Sequence, residues 1–168
     1  TGADIPQPAG DPPGGEGATP STLYNGMIAP LVPYAIRGVI WYQGESNADM
    51  PSEYRELFTG LIKSWRDAWG EGDFPFYIGQ LPGQENISNN PRIREGQAAV
   101  LDLPRTGMVV TIDVGEAKDV HPHNKAPVAN RLARLALDDV YKKKVNARSP
   151  MLDSVNMKDG SAVVKFTR

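Results

Sequence analysis

The chain has 168 residues, about the size of one domain and long enough to bury a sizeable core. Its 18 basic residues against 20 acidic ones give a formal charge of -2, too balanced for the electrostatic footprint of a nucleic-acid binder. It has no cysteine, which excludes disulfide scaffolds and cysteine-based zinc sites, and no apolar run nears the roughly 20 residues of a membrane span.

The opening twenty residues, TGADIPQPAGDPPGGEGATP, are half proline and glycine, with Ile5 the only large apolar side chain. Such a segment cannot bury enough surface to order itself, so residues 1–20 read as a flexible linker or tail. They show neither the basic region nor the apolar core of a signal peptide. A lead-in of this kind predicts a fold that the chain joins partway through.

Two periodicities alternate after Pro20. Ser21 is placed to cap a helix running to about Tyr34, with Leu23, Met27, Ile28 and Leu31 on one face and Pro30 and Pro33 expected to kink or shorten it. Gly38 then opens a strand, Val39 to Tyr42, apolar at successive positions as in a strand covered on both faces. Pro51 suits a first helical position, and Tyr54, Leu57, Phe58, Leu61, Ile62 and Trp65 predict an amphipathic helix ending near Gly70. A second strand is expected from Phe74 to Leu81. Asn90 and Pro91 suit an N-cap and first position for a helix to about Asp102. A third strand is expected over Met108 to Ile112 and a helix over Pro127 to Tyr141. The end, from Met151 to Phe166, reads as a hairpin turning at Lys158-Asp159-Gly160.

Strands separated by helices imply right-handed crossovers and a parallel sheet covered on both faces, an α/β/α sandwich. The domain reading is residues 21–145 for this unit and 146–168 for the hairpin, which need not share its sheet. Ligands bind beyond the carboxyl ends of strands in such sheets. Three polar clusters fall there: Gln43-Gly44-Glu45-Ser46-Asn47, then Gln80, Gln84 and Asn86, then Asp113, Glu116, Asp119, His121 and His123.

Asp119-Val120-His121-Pro122-His123 holds both histidines of the chain. A carboxylate two residues from a histidine can fix its tautomer, as a general base requires. The same residues can instead cap the following helix. Alternating Asp119, His121 and His123 also resemble a metal-ligand pattern, but Pro122 disturbs the alternation and no further histidine exists to complete a zinc site. No metal or cofactor is therefore expected.

Gly44-Glu45-Ser46-Asn47-Ala48 comes close to a nucleophile elbow. Against that reading, the helix does not begin at Ser46, since Ala48, Asp49 and Met50 intervene before Pro51. The histidines also lie two and four residues from Asp119 rather than on a separate strand. Gly44 and Asn47 offer instead a backbone N–H and a side-chain amide at a strand terminus, the parts of an oxyanion hole.

Leu23 to Leu31, Gly38 to Asn47, Asp119-Val120-His121-Pro122 with Asn124-Lys125, and Arg131-Leu132-Ala133 together resemble the sialate O-acetylesterase family. That family is of SGNH-hydrolase type and similar to carbohydrate esterase family 6 acetylxylan esterases. The resemblance spans about Pro20 to Leu137 and implies His121 as catalytic base and Asp119 as its orienting acid. It places Asn47 and Gly44 among the oxyanion donors, Gln43 and Glu45 on the pocket floor, and Ser46 in a structural role. The family's nucleophilic serine lies in a Gly-Gln-Ser-Asn motif on an earlier strand, and no such motif precedes Tyr24. The implied reaction is hydrolysis of acetyl esters on a sialate-type or xylan-type sugar. A second polypeptide would supply the serine, or this chain alone would be inactive; a secreted or periplasmic setting is implied by family. Two alternatives stand beside this: a non-catalytic carbohydrate-binding or structural piece, and an esterase using Ser46.

Overall fold

The computed structural model describes residues 21–85, 89–148 and 150–167, so the expected linker at 1–20 and Asn86 lie outside the described residues. Three parallel strands, β1 (Val39–Trp41), β2 (Phe76–Gly79) and β3 (Thr106–Val109), form a sheet in that order. Ile40 stands opposite Tyr77, and Ile78 opposite Met108. Helices α1 (Pro51–Trp69), α2 (Asn90–Ala99) and α3 (Ala126–Asp139) follow the strands in turn.

Side-chain alternation along β2 builds the three layers. Phe76 and Ile78, both fully buried, pack with Tyr54, Phe58 and Ile62 of α1 and Ile93 of α2. Tyr77 points the other way and packs with Val128, Leu132 and Leu135 of α3. The expected α/β/α sandwich is thus formed, with α1 and α2 on one face and α3 on the other. Burial of each large apolar side chain stabilises it by about 1.5–3 kcal/mol. Trp41 adds ring contacts to Phe58, Trp65 and Phe76, with centroids 5.6, 6.0 and 6.3 Å away.

α1 begins at Pro51 and stops at Gly70, whose left-handed backbone (φ 65°) closes the last turn by donating N–H to Arg66. Arg66 itself is buried and donates to the carbonyls of Phe74, at 3.2 and 2.8 Å, and of Pro104, at 2.8 Å. It ties α1 to the strand entrances.

Three expectations are corrected. The helical segment after Ser21 is shortened, as the prolines predict, but it buries no apolar face: a π-type turn over Tyr24–Ile28 passes into a 3₁₀ turn over Ala29–Leu31, and Leu23, Met27 and Leu31 are exposed. Pro30 and Pro33 remove two donors from any longer α-helical ladder. The third strand starts earlier and ends at Val109, because its partner β2 stops at Gly79 and the Gln80 N–H donates the last ladder bond to the Val109 carbonyl. Asn90 is the first residue of α2 rather than its cap; Asn89 holds the cap position, without a side-chain bond.

β4 (Met151–Lys158) and β5 (Ser161–Thr167) form the antiparallel hairpin, turning at Asp159-Gly160. A register shift at Asp153 brings the pairs Leu152/Phe166, Val155/Val164 and Met157/Ala162 onto one face. All but Ala162 of that row are prominent exposed hydrophobics, Phe166 at 60%.

Candidate active site

The chain leaves β1 through Tyr42, whose ring lies against Gly79 of β2, where a Cβ would come within 2.8 Å of the ring. Gly44 is buried against Ile93 and Leu81, and a Cβ there would meet Ile93 Cγ2 at 3.0 Å. Glycine at these two positions lets the strand end fold down onto its neighbours. A 3₁₀ turn over Glu45–Asn47 follows, closed by Asn47 N–H to Gly44 O at 3.0 Å.

Side chains from α1 and α2 fix this turn. Gln43 carbonyl accepts from Tyr54 Oη at 2.9 Å and from Gln97 Nε2 at 3.0 Å. Gln97, fully buried, accepts from Leu81 N–H at 2.9 Å and so joins the ends of β1 and β2. Gln43 Nε2 donates to Asn47 Oδ1 at 2.8 Å, which engages the Asn47 amide oxygen, so that its nitrogen is the donor remaining to the side chain. Beyond β2, Thr111 donates a short hydrogen bond to Gln80 carbonyl.

The β3–α3 connection is held at both ends. Arg131 of α3 grips Asp113 with two bonds of 2.7 and 2.6 Å and also donates to Val110 carbonyl at 2.7 Å. This fork holds the Asp113 carboxyl down at about 2. Farther along, Asp119 Oδ1 accepts His121 backbone N–H at 2.7 Å, while His121 Nδ1 lies 3.9 Å away, beyond hydrogen-bond length. The second histidine is bound more fully: Glu116 accepts His123 N–H at 2.7 Å and faces its Nδ1 at 3.0 and 3.1 Å. That pairing raises the His123 imidazole above its ordinary range and lowers the Glu116 carboxyl. Pro122, between the two histidines, is fully buried.

The two loops meet in a cavity of about 560 Å³ lined by Tyr42, Gln43, Glu45, Ser46, Val120, His121 and Lys125. Four residues picked out in the sequence therefore share one space: Gln43, Glu45, Ser46 and His121. Gly44, Asn47 and Asp119 stand behind that lining, in contact with it through Gln43 and His121. Lys125 Nζ sits 5.1 Å from the Tyr42 ring centroid. Glu116, Asp119 and His123 bring ligand-type atoms within 4.8 Å of one another; Glu116 and His123 are bonded to each other, while Asp119 accepts the His121 N–H.

Gln97 escapes sequence reading as a site residue. Its signal is faint: one polar side chain at the core-facing spacing of Ile93 and Val100. Glu116 and Arg131 act through contacts 7 and 18 residues away, which spacing does not reveal.

A parallel α/β/α sheet with its polar residues gathered beyond the strand ends defines an α/β protein whose ligand site lies at that edge. The match to known proteins is specific: residues 14–141 fit the carbohydrate esterase, sialic acid-specific acetylesterase family, and the chain belongs to it. Mouse sialate O-acetylesterase is 32% identical over 170 residues, covering 88% of this chain and 31% of that protein. The human sialate O-acetylesterase is 34% identical over 134 residues, covering 67% of this chain and 26% of that protein. The crystal structure of a carbohydrate acetylesterase from Xanthomonas citri superposes with a TM-score of 0.80 at 39% identity, covering 86% of this chain and 35% of that one. The chain thus spans about a third or less of the length of these relatives.

Proposed function

We propose that this chain forms the base and oxyanion side of a carbohydrate O-acetylesterase site. The observation that carries the reading is the shared cavity, which sets His121 across from the Gln43–Ser46 turn. A serine from outside the described residues, on another segment or a second polypeptide, attacks the acetyl carbonyl. His121 takes its proton, and Asp119 orients His121 through its bond to the His121 backbone N–H. Asn47 and Gly44 supply donors to the oxyanion; the sugar alcohol leaves with the proton from His121. Water, deprotonated in turn by His121, then releases acetate.

The substrate class we favour is an acetylated sugar that carries a carboxylate, as sialates do. Lys125 supports this: it lines the cavity, is held over Tyr42, and makes no ion pair within 4 Å among the described residues. The family description and the names of the mouse and human relatives point the same way.

The test is release of acetate from a chromogenic acetyl ester by the complete site. His121→Ala is expected to lower kcat by about three orders of magnitude. Activity that survives this substitution sinks the mechanism, and sugar binding without turnover in any assembled form favours a non-catalytic binding role.

A further inference from the structure

Between β3 and α3 the chain makes one long excursion, and His121 rides on it with an exposed ring. Nothing bonds the His121 imidazole within 3.5 Å among the described residues, so its direction depends on the backbone beneath it. That backbone is fixed at three places. Asp119 caps the His121 N–H, Pro122 is packed into the interior, and Glu116 reaches seven residues forward to His123. A backbone bridge between Glu116 and Asp119 closes the loop on itself.

Glu116 makes the larger share of these bonds. One of its oxygens takes both the His123 N–H and the facing ring nitrogen, and the other oxygen takes the ring nitrogen again. We infer that Glu116 is a positioning residue, whose latch on His123 holds the loop so that His121 faces the cavity. His123 is the handle of the latch and does not itself line the cavity. The charged groups facing His123 are Glu116 and Asp119, which favour its protonated form, and Lys125, which opposes it. The latch is therefore strongest where Glu116 is ionised and His123 is protonated, and it weakens as either loses its charge.

This role rests on the proposed use of His121 as a base, but its physical content is measurable without any turnover. The experiment is an NMR titration of both imidazoles, with amide hydrogen exchange, on the chain and on Glu116→Gln and Glu116→Ala. Gln keeps an acceptor oxygen and removes the charge; Ala removes both. In Glu116→Gln, His123 is expected to titrate at a lower pH than in the parent chain. In Glu116→Ala, the amides of His121 and His123 are expected to exchange about ten-fold faster while those of Phe58 and Ile62 are unchanged. In the complete enzyme the Ala variant should lose kcat by about 10-fold to 100-fold with KM little altered, as for a displaced base. An unchanged His123 titration, or His121 exchange that does not respond, overturns the latch. Faster exchange with no loss of kcat in Glu116→Ala overturns the positioning role, whereas activity surviving in His121→Ala overturns the underlying use of His121 as base.

Discussion

Gln97 and Gln43 are bonded through the core: the Gln97 amide nitrogen donates to the Gln43 carbonyl at 3.0 Å from a fully buried position on α2. Because the same side chain also accepts Leu81 N–H, one residue sets the spacing between the ends of β1 and β2. Replacing it with leucine leaves a buried N–H without its acceptor and costs about 1–3 kcal/mol. Urea unfolding of Gln97→Leu, read by tryptophan fluorescence, should show a lower midpoint with an unchanged slope.

The aromatic cluster predicts a sharp contrast with the hairpin. Phe76 is fully buried among Trp41, Phe58 and Trp65, so Phe76→Ala should cost about 3–5 kcal/mol. Phe166 is 60% exposed on the apolar face of the hairpin, and Phe166→Ala should cost about 0.2–1 kcal/mol, the scale of one cross-strand pair. Thermal unfolding of the two variants side by side checks this.

The pH dependence of stability follows from three exposed groups. Asp113, held at about 2 by Arg131, and Glu116, held below its ordinary 4.5 by His123, contribute above their unfolded values and lose that contribution as pH falls through the folded ones. His123, raised above 6.5 by Glu116, contributes fully below 6.5 and loses it as pH rises through its folded value. Together they favour the folded loop most between about pH 4.5 and 6.5. Arg131→Met should flatten the acid limb of a Tm-against-pH curve, and Glu116→Gln the neutral limb.

Lys125 makes a specificity prediction. Lys125→Met should lower kcat/KM for an acetylated sugar acid by about five-fold, the scale of one exposed charge pair, and leave a neutral acetyl sugar unaffected. The difference should shrink as salt rises. Equal losses on both substrates would show that Lys125 does not recognise the carboxylate.

Local signals made the central layers readable. The 3.6-residue repeat of Tyr54, Phe58, Ile62 and Trp65, with Pro51 before and Gly70 after, specifies α1 almost to the residue. The unbroken apolar runs around Val39 and Phe76 announced strands, but only β2 is covered on both faces: Ile40 of β1 is 60% exposed, because β1 lies at the edge of the three-stranded sheet. What misled was competition between neighbours: two prolines override the apolar face of Leu23, Met27 and Leu31, and β3 takes its end from where β2 turns away. In the site, polar residues at strand ends were visible as a set. The pairing of His123 with Glu116, and the Gln97 bridge, were not, because each joins groups that only the folded chain brings together.

The central claim is that His121 serves a serine other than Ser46, although Ser46 lines the same cavity. Labelling with a fluorophosphonate, followed by peptide mass spectrometry, tests it most directly. No adduct is expected on Ser46 in this chain, and in the assembled site an adduct is expected on a serine elsewhere that His121→Ala abolishes. An adduct on Ser46 that depends on His121 would contradict it.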